Sequence, residues 1–218
     1  MSNIIIDMES LSITLLIIVL TAITSFMAFN NRVIRGAALF YPHAIHARGE
    51  WYRFITSGFI HADFLHLAVN MYVLYSFGTV LEKYYLPAFF GTYANLMYVG
   101  LYILGMIVAD IPTYIKQRHN ATYLGLGASG AVAAILFACI LFGPFTGEIG
   151  LLFIPGVGIP PIVFGIIYLA YSAYMSRMAN DHINHDAHFY GAIFGFIFPG
   201  LFKPDLFISL WTSIQQTL

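Results

Sequence analysis

The sequence predicts an all-α membrane protein, a single six-helix bundle, and three observations carry that reading. Hydrophobic residues make up 60% of the 218 residues and charged residues 9%. Soluble domains carry roughly 25% charged residues, so a chain this poor in charge expects lipid around it. The mean hydropathy is +0.80. Finally, six stretches approach the ~20 apolar residues that a helical span requires. A net charge of -1 gives no basic surface for nucleic acid, which is excluded as a partner; the lipid bilayer is the expected one.

The six stretches follow in order. Leu11–Phe29 comes after Asp7 and Glu9, with no Lys or Arg among the first ten residues. A secretory signal would want a basic start, so this segment is expected to be a retained span. A long loop follows, from Asn30 to about Asp63, with Trp51, Tyr52, Phe54 and the arginines Arg32, Arg35, Arg48 and Arg53. Such an aromatic loop suits the membrane interface. Phe64–Val80 and Leu86–Val108 read as the second and third spans, and Gly125–Phe142 as the fourth. The fourth contains Cys139, the single cysteine, which rules out an internal disulfide and reads as a packed thiol. Pro144–Pro160, rich in Gly and Pro, reads as a connection that dips into the membrane. Ile159–Met175 and Ala187–Phe202 complete the set. No transporter-type repeat is visible, and residues 1–218 are expected to form one domain without a sizeable soluble part.

Polar groups in such segments need a reason, because burying them is costly unless they are paired. Ser129 lies in Gly127-Ala128-Ser129-Gly130, with Gly125 just upstream. Glycines allow tight turns and close approach. A helix starting here would aim free N–H groups and its positive dipole end at the serine, where they could hold an oxyanion. The spacing of Gly130, Ala134 and Ala138 equally suits a helix-packing face. The α/β-hydrolase elbow is excluded, since its last glycine would fall at Ala131.

His188 opens the sixth span, beside a stripe of Ala187, Gly191 and Gly195 that lets a neighbouring helix approach. A lone histidine there would read as interfacial; with a serine on a second small-faced helix the reading becomes a nucleophile–base dyad. No acidic residue is obviously placed to orient the imidazole, Asp186 reading equally as a loop residue. His66 and Asn70, four apart, share one face of the second span. They read either as glue between helices or as oxyanion-hole donors. A metal centre built from His182, His185 and His188 with Asp181 and Asp186 is the weaker reading. An every-third spacing drifts around a helix, and HExxH is missing, so no metal is expected.

Together these residues resemble the rhomboid family of intramembrane serine proteases over nearly the whole chain. Glu50-Trp51-Tyr52-Arg53 resembles the family's Trp-Arg element with one residue inserted. His61, His66 and Asn70 resemble its second-helix pattern, Gly127-Ala128-Ser129-Gly130 its nucleophile motif, and Ala187-His188 with Gly191 and Gly195 its last-helix motif. The resemblance implies a rhomboid-like bundle and a Ser129–His188 dyad. It further implies an oxyanion hole from His66, Asn70 and the Ser129 backbone N–H, with Gly127, Gly130, Gly191, Gly195, Trp51 and Arg53 in support. The implied activity is cleavage of transmembrane protein substrates without a cofactor. The rival readings are an inactive relative that binds membrane-protein clients, and a histidine-lined metal or ion transporter. Family members often place an aromatic residue four after the serine, against the imidazole; here Ala133 occupies that position, so Tyr190 or a phenylalanine is expected to confine His188. The resemblance implies a multi-pass protein of the bacterial plasma membrane, its site opening outward and its termini cytoplasmic. The charge bias of Arg32, Arg35, Arg48, Arg53, Lys116, Arg118 and Arg177 against Lys83 and Lys203 points the other way. Sequence says nothing of the oligomeric state.

Overall fold

The computed structural model describes residues 12–151, 154–178 and 183–217. Leu11, Asp7, Glu9, Asp181 and His182, all named above, lie outside the described residues. Helix α1 (Ile13–Asn30) starts at Ser12, whose Oγ accepts from the Leu15 N–H at 3.3 Å. The Glu82 carboxylate reaches the same helix end and accepts from Ser12 Oγ and from the Ile13 and Thr14 amides. An anion at a helix N-terminus answers both its orphan donors and its dipole.

The long first loop is folded, as α2 (Arg32–Ala38), α3 (Pro42–Arg48), α4 (Arg53–Thr56) and a 3-10 turn over Ser57–Phe59. Arg53 organises it. Buried, it donates from Nη1 to the carbonyls of Gly36 (3.0 Å) and Leu39 (2.7 Å) and pairs with Glu50. Arg48 and Arg53, hydrogen-bonded to the Glu50 carboxyl, hold it down to about 2. Trp51 and Tyr52 stay exposed.

Helix α5 (Phe64–Val80) has the expected bounds, capped by Asp63 on the His66 N–H at 2.8 Å. It runs through a π-helical turn (Leu81–Tyr85) into α6 (Leu86–Phe90), which ends where Gly91 takes φ +53°. The third span therefore starts later and runs longer than expected, as α7 (Ala94–Gln117). The helix passes the expected end at Val108, carries Pro112 inside it, and sets Asp110 against Asn184, the cap of a later helix. Helix α8 (Ser129–Phe142) begins four residues after the expected start, because Gly125 instead pairs with Phe40 as a β-bridge. The Gly/Pro-rich connection is a hairpin of β1 (Ile149–Leu151) and β2 (Ile154–Ile159), a small departure from an all-α fold. Helices α9 (Pro161–Met178) and α10 (His185–Phe202) follow; His185, expected in the loop, is the first residue of α10. A further amphipathic helix, α11 (Asp205–Thr217), is bent 113° from α10.

Helix α8 is the axis of the bundle. Every residue from Gly130 to Leu141 is buried, and α10, α7 and α5 surround it. At 14 residues and 1.5 Å per residue it spans about 21 Å, short of a ~30 Å hydrocarbon layer. Peripheral helices turn large apolar side chains outward instead, among them Leu16, Val19 and Ile23 on α1 and Ile166, Ile167 and Tyr171 on α9. Patches of this extent require an apolar surrounding. Each expected stretch contains a helix. By length and composition, two segments among the described residues can cross a membrane, Ile13–Asn30 and Phe64–Gln117, or three if α10 and α11 count as one bent span.

The α8–α10 contact is backbone against backbone. A Cβ on Gly191 would lie 2.2 Å from the Gly130 oxygen, and one on Gly195 would lie 2.0 Å from the Ala134 oxygen. Main chain cannot retreat as a flexible side chain can. Gly195→Ala is expected to lower stability by about 1–3 kcal/mol through overpacking, read as thermal unfolding in detergent. Gly36→Ala, where a Cβ would meet nothing within 4 Å, should leave the midpoint unchanged or slightly raised.

Candidate active site

Ser129 is delivered by a short, heavily tied strand of chain. Phe40 and Gly125 exchange both backbone hydrogen bonds at 2.9 Å, and the Gly127 N–H donates to the Ser57 carbonyl at 2.9 Å. Gly127 sits at φ +116°, a conformation that side chains disfavour, and a Cβ there would approach His66 Cε1 to 2.7 Å. The glycine is thus required twice, by its backbone and by the imidazole lying on it. Ala128 is wholly buried, and α8 begins at half-buried Ser129. Amides in a first helical turn have no acceptor within the helix, so this is a suitable place for negative charge to develop.

His61 fixes the same strand from the other side. Its Nε2 accepts from the Ala128 N–H at 3.4 Å, which leaves Nδ1 to donate to Ser25 Oγ at 3.0 Å. Burial, reinforced by neighbouring His66, pushes the His61 imidazole down to about 3, so it stays neutral and keeps that acceptor. His61 therefore lies before α5 and braces the serine loop on α1. Its ring meets that of His66 edge-on at 4.9 Å. Asn70, buried one turn beyond His66, donates from Nδ2 to the His66 carbonyl at 2.9 Å. That amide nitrogen carries a second N–H.

Helix α10 comes in against this assembly on small residues. Ala187 and Gly191 meet Gly130, and Gly195 meets Ala134, so the two small-residue stripes mesh. Ser129 precedes Gly130 and His188 follows Ala187, so the contact brings both to one end of one interface. Gly127, Ser129, Gly130, Asn184, Ala187 and Asp110 line a cavity there.

The His188 ring is flanked by Tyr168 of α9, stacked at 6.3 Å between centroids and 22° between planes, and by His185, edge-on at 5.9 Å. Tyr190, one of the residues expected to confine the imidazole, packs on Phe189, and among the described residues the ring stacked on His188 is that of Tyr168. Tyr168 also packs against the cluster that holds Ala133, meeting the ring of Phe137. Sequence reasoning missed Tyr168. Phe164, Tyr168, Tyr171 and Tyr174 look alike in the fifth span, and only packing separates them.

The supporting residues divide. Gly127, Gly130, Gly191 and Gly195 form the contacts above, while Arg53 ties the first loop and Trp51 lies exposed on it, stacked on Phe54. Among the described residues, no group of three or more His, Cys, Asp or Glu side chains is arranged to hold a metal. Asp186, part of the weaker metal reading, pairs with Lys116 of α7 and Ser176 of α9.

Comparison with known proteins bears on this arrangement. The family model of the Rhomboid domain matches residues 48–204. YdcA of Bacillus subtilis, a rhomboid by name, is 32% identical over 151 residues, covering 69% of this chain and 67% of that protein. Rhomboid protease GluP of the same organism is 30% identical over 150 residues, covering 69% and 26%. The chloroplastic Rhomboid-like protein 11 of Arabidopsis thaliana is 28% identical over 124 residues, covering 57% and 40%. The chain thus spans well under half the length of the latter two.

The His61 brace makes stability depend on pH. Its folded-state value lies below the ordinary 6.5, so below 6.5 the unfolded chain binds a proton that the folded chain refuses. Stability should fall as the pH drops from about 6.5 toward about 3. Thermal unfolding in detergent from about pH 8 to about pH 4 checks this, and His61→Gln should show a shallower slope than the wild type.

Proposed function

The chain belongs to the rhomboid family, and from that premise we propose that it is an intramembrane serine endopeptidase in which Ser129 is the nucleophile and His188 the general base. The observation that supports the reading is the meshing of Gly130 with Ala187 and Gly191, and of Ala134 with Gly195, since Ser129 and His188 are each one residue from that contact. His188 takes the Ser129 proton as Oγ attacks a peptide carbonyl, and the resulting oxyanion is held by the Ser129 N–H, His66 and Asn70. Collapse of that intermediate expels the amine, which takes the proton from His188 and leaves an acyl-enzyme. A water deprotonated by His188 then hydrolyses the ester and frees Ser129. None of these steps calls for a cofactor.

Because a helix hides its carbonyls, the substrate class is transmembrane segments weakened by Gly, Pro or polar residues. Tyr168 and His185 confine the imidazole in place of an aromatic residue at position 133. The reading takes residues 1–218 as one domain whose six long helices, α1, α5, α7, α8, α9 and α10, form the transmembrane bundle. The setting is a bacterial plasma membrane with the site facing outward, and Arg53's inward bonds account for one of the loop arginines that argue for the opposite orientation.

A fluorophosphonate probe and a reporter transmembrane segment test the assignment. Label should attach at Ser129, and Ser129→Ala should lose both label and about 10³-fold or more of cleavage, with thermal stability nearly unchanged. Cleavage retained by purified Ser129→Ala protein would remove the assignment; unlabelled wild type would favour an inactive, client-binding relative. Tyr168→Ala is expected to lower kcat by up to about tenfold, the order of one aromatic contact, while Tyr168→Phe keeps the ring and the rate.

A further inference from the structure

Asp110 is a carboxyl group within the largely apolar helix α7, and such a group within a membrane segment is costly enough to need an explanation. Asp110, Thr113 and Lys116 recur every third residue along α7, and each reaches the first turn of α10. Asp110 Oδ1 accepts from Asn184 Nδ2 at 3.2 Å, and Thr113 Oγ1 donates to Asn184 Oδ1 at 3.0 Å. Lys116 Nζ pairs with Asp186 at 2.6 Å.

Asn184 is the residue that starts α10. Its Oδ1 also accepts from the Ala187 N–H at 3.2 Å, and its backbone oxygen accepts from the His188 N–H at 3.3 Å. An N-cap asparagine can present either end of its amide; the Ala187 N–H can only donate, and Asp110 Oδ1 accepts on the other side. Asp110 therefore holds the nitrogen on its own side and directs Oδ1 toward Ala187. Lys116 contributes less, because its side chain is 55% exposed and exposed pairs are worth little. Asp110 and Asn184 also line the cavity that Ser129 and Ala187 line.

We propose that Asp110 is a positioning residue for the reaction: through Asn184 it fixes the cap of α10, and with it the placement of His188 relative to Ser129. The proposal rests on the Ser129–His188 reading. A displacement of about 1 Å between reacting groups costs on the order of 10²-fold in rate, so the first turn of α10 has to be held closely.

Exchanging the partners tests this. Asn184→Asp keeps an acceptor for Ala187 and Thr113 but removes the Nδ2 donor that Asp110 accepts from. Asp110→Asn combined with Asn184→Asp restores the hydrogen bond in the opposite direction, from Asn Nδ2 at 110 to the carboxylate at 184. In the full chain, with active sites counted by fluorophosphonate, Asn184→Asp should lower kcat about tenfold or more with KM within about twofold. The double variant should return to within about threefold of wild type, in both kcat and the rate of Ser129 labelling. A double variant as slow as Asn184→Asp, or unfolded like it, overturns the proposal, as does an Asn184→Asp variant with wild-type kcat. Failure of the wild type to label at Ser129 removes the dyad reading itself, and the proposal with it. That result is distinct, since it is seen before any variant is made.

Discussion

The contact on which the other features depend is the one between α8 and α10, where two main chains touch without intervening side chains. In lipid there is little hydrophobic gain in bringing two apolar helices together, so close packing of small residues supplies much of the attraction. That packing also specifies register. Gly191 can rest only on a residue as small as Gly130, and Gly195 only where the Ala134 backbone is uncovered. A slip of one residue would set a side chain against a carbonyl. Ser129 and His188, each one residue from this contact, inherit its precision.

Around this contact the polar side chains form ties between elements far apart in the chain. Glu82 closes the start of α1, Arg53 gathers the carbonyls of the first loop, and His61 joins Ser25 on α1 to the Ala128 amide. Each satisfies a donor or acceptor that would otherwise be costly to bury. Two of the three converge on the serine strand or the loop that packs on it. Area and shape hold the apolar interior, whereas these ties are hydrogen bonds, which fix direction as well as distance. Helix α9, with most of its apolar side chains turned outward, contributes Tyr168 to the imidazole.

Much of the architecture is legible in order along the chain. Composition places it in a membrane, and the six apolar stretches each contain a helix, with α5 falling at its expected bounds. The stripes of Gly130 and Ala134 and of Ala187, Gly191 and Gly195 are readable as packing faces from spacing alone, because a four-residue interval puts them on one side of a helix. Boundaries are harder wherever a breaker is answered by a tertiary contact. The expected end of the third span is Val108, yet α7 runs on to Gln117, with Asn184 placed to donate to Asp110. The short hairpin of β1 and β2 and the bend into α11 are not foreseeable from pattern, since neither carries a strong periodic signal over its length.

By itself, then, the sequence determined the membrane class, the order of helices, the family pattern and the candidate residues Ser129, His188, His66 and Asn70. These properties are local, set by spacing and composition along the chain. Tertiary structure decided which aromatic ring lies on His188, that Arg53 and His61 act as internal ties, and that Asp110 meets the cap of α10. Each of these joins residues far apart in sequence; Tyr168 lies 20 positions from His188 and Asp110 lies 74 from Asn184. No periodicity spans such a gap. The small-residue contact of α8 with α10 carries the cap of α10 to Asp110, the Arg53 and His61 ties close elsewhere, and one-dimensional patterning could state only that some helix would be met, not which side chains would be waiting on it.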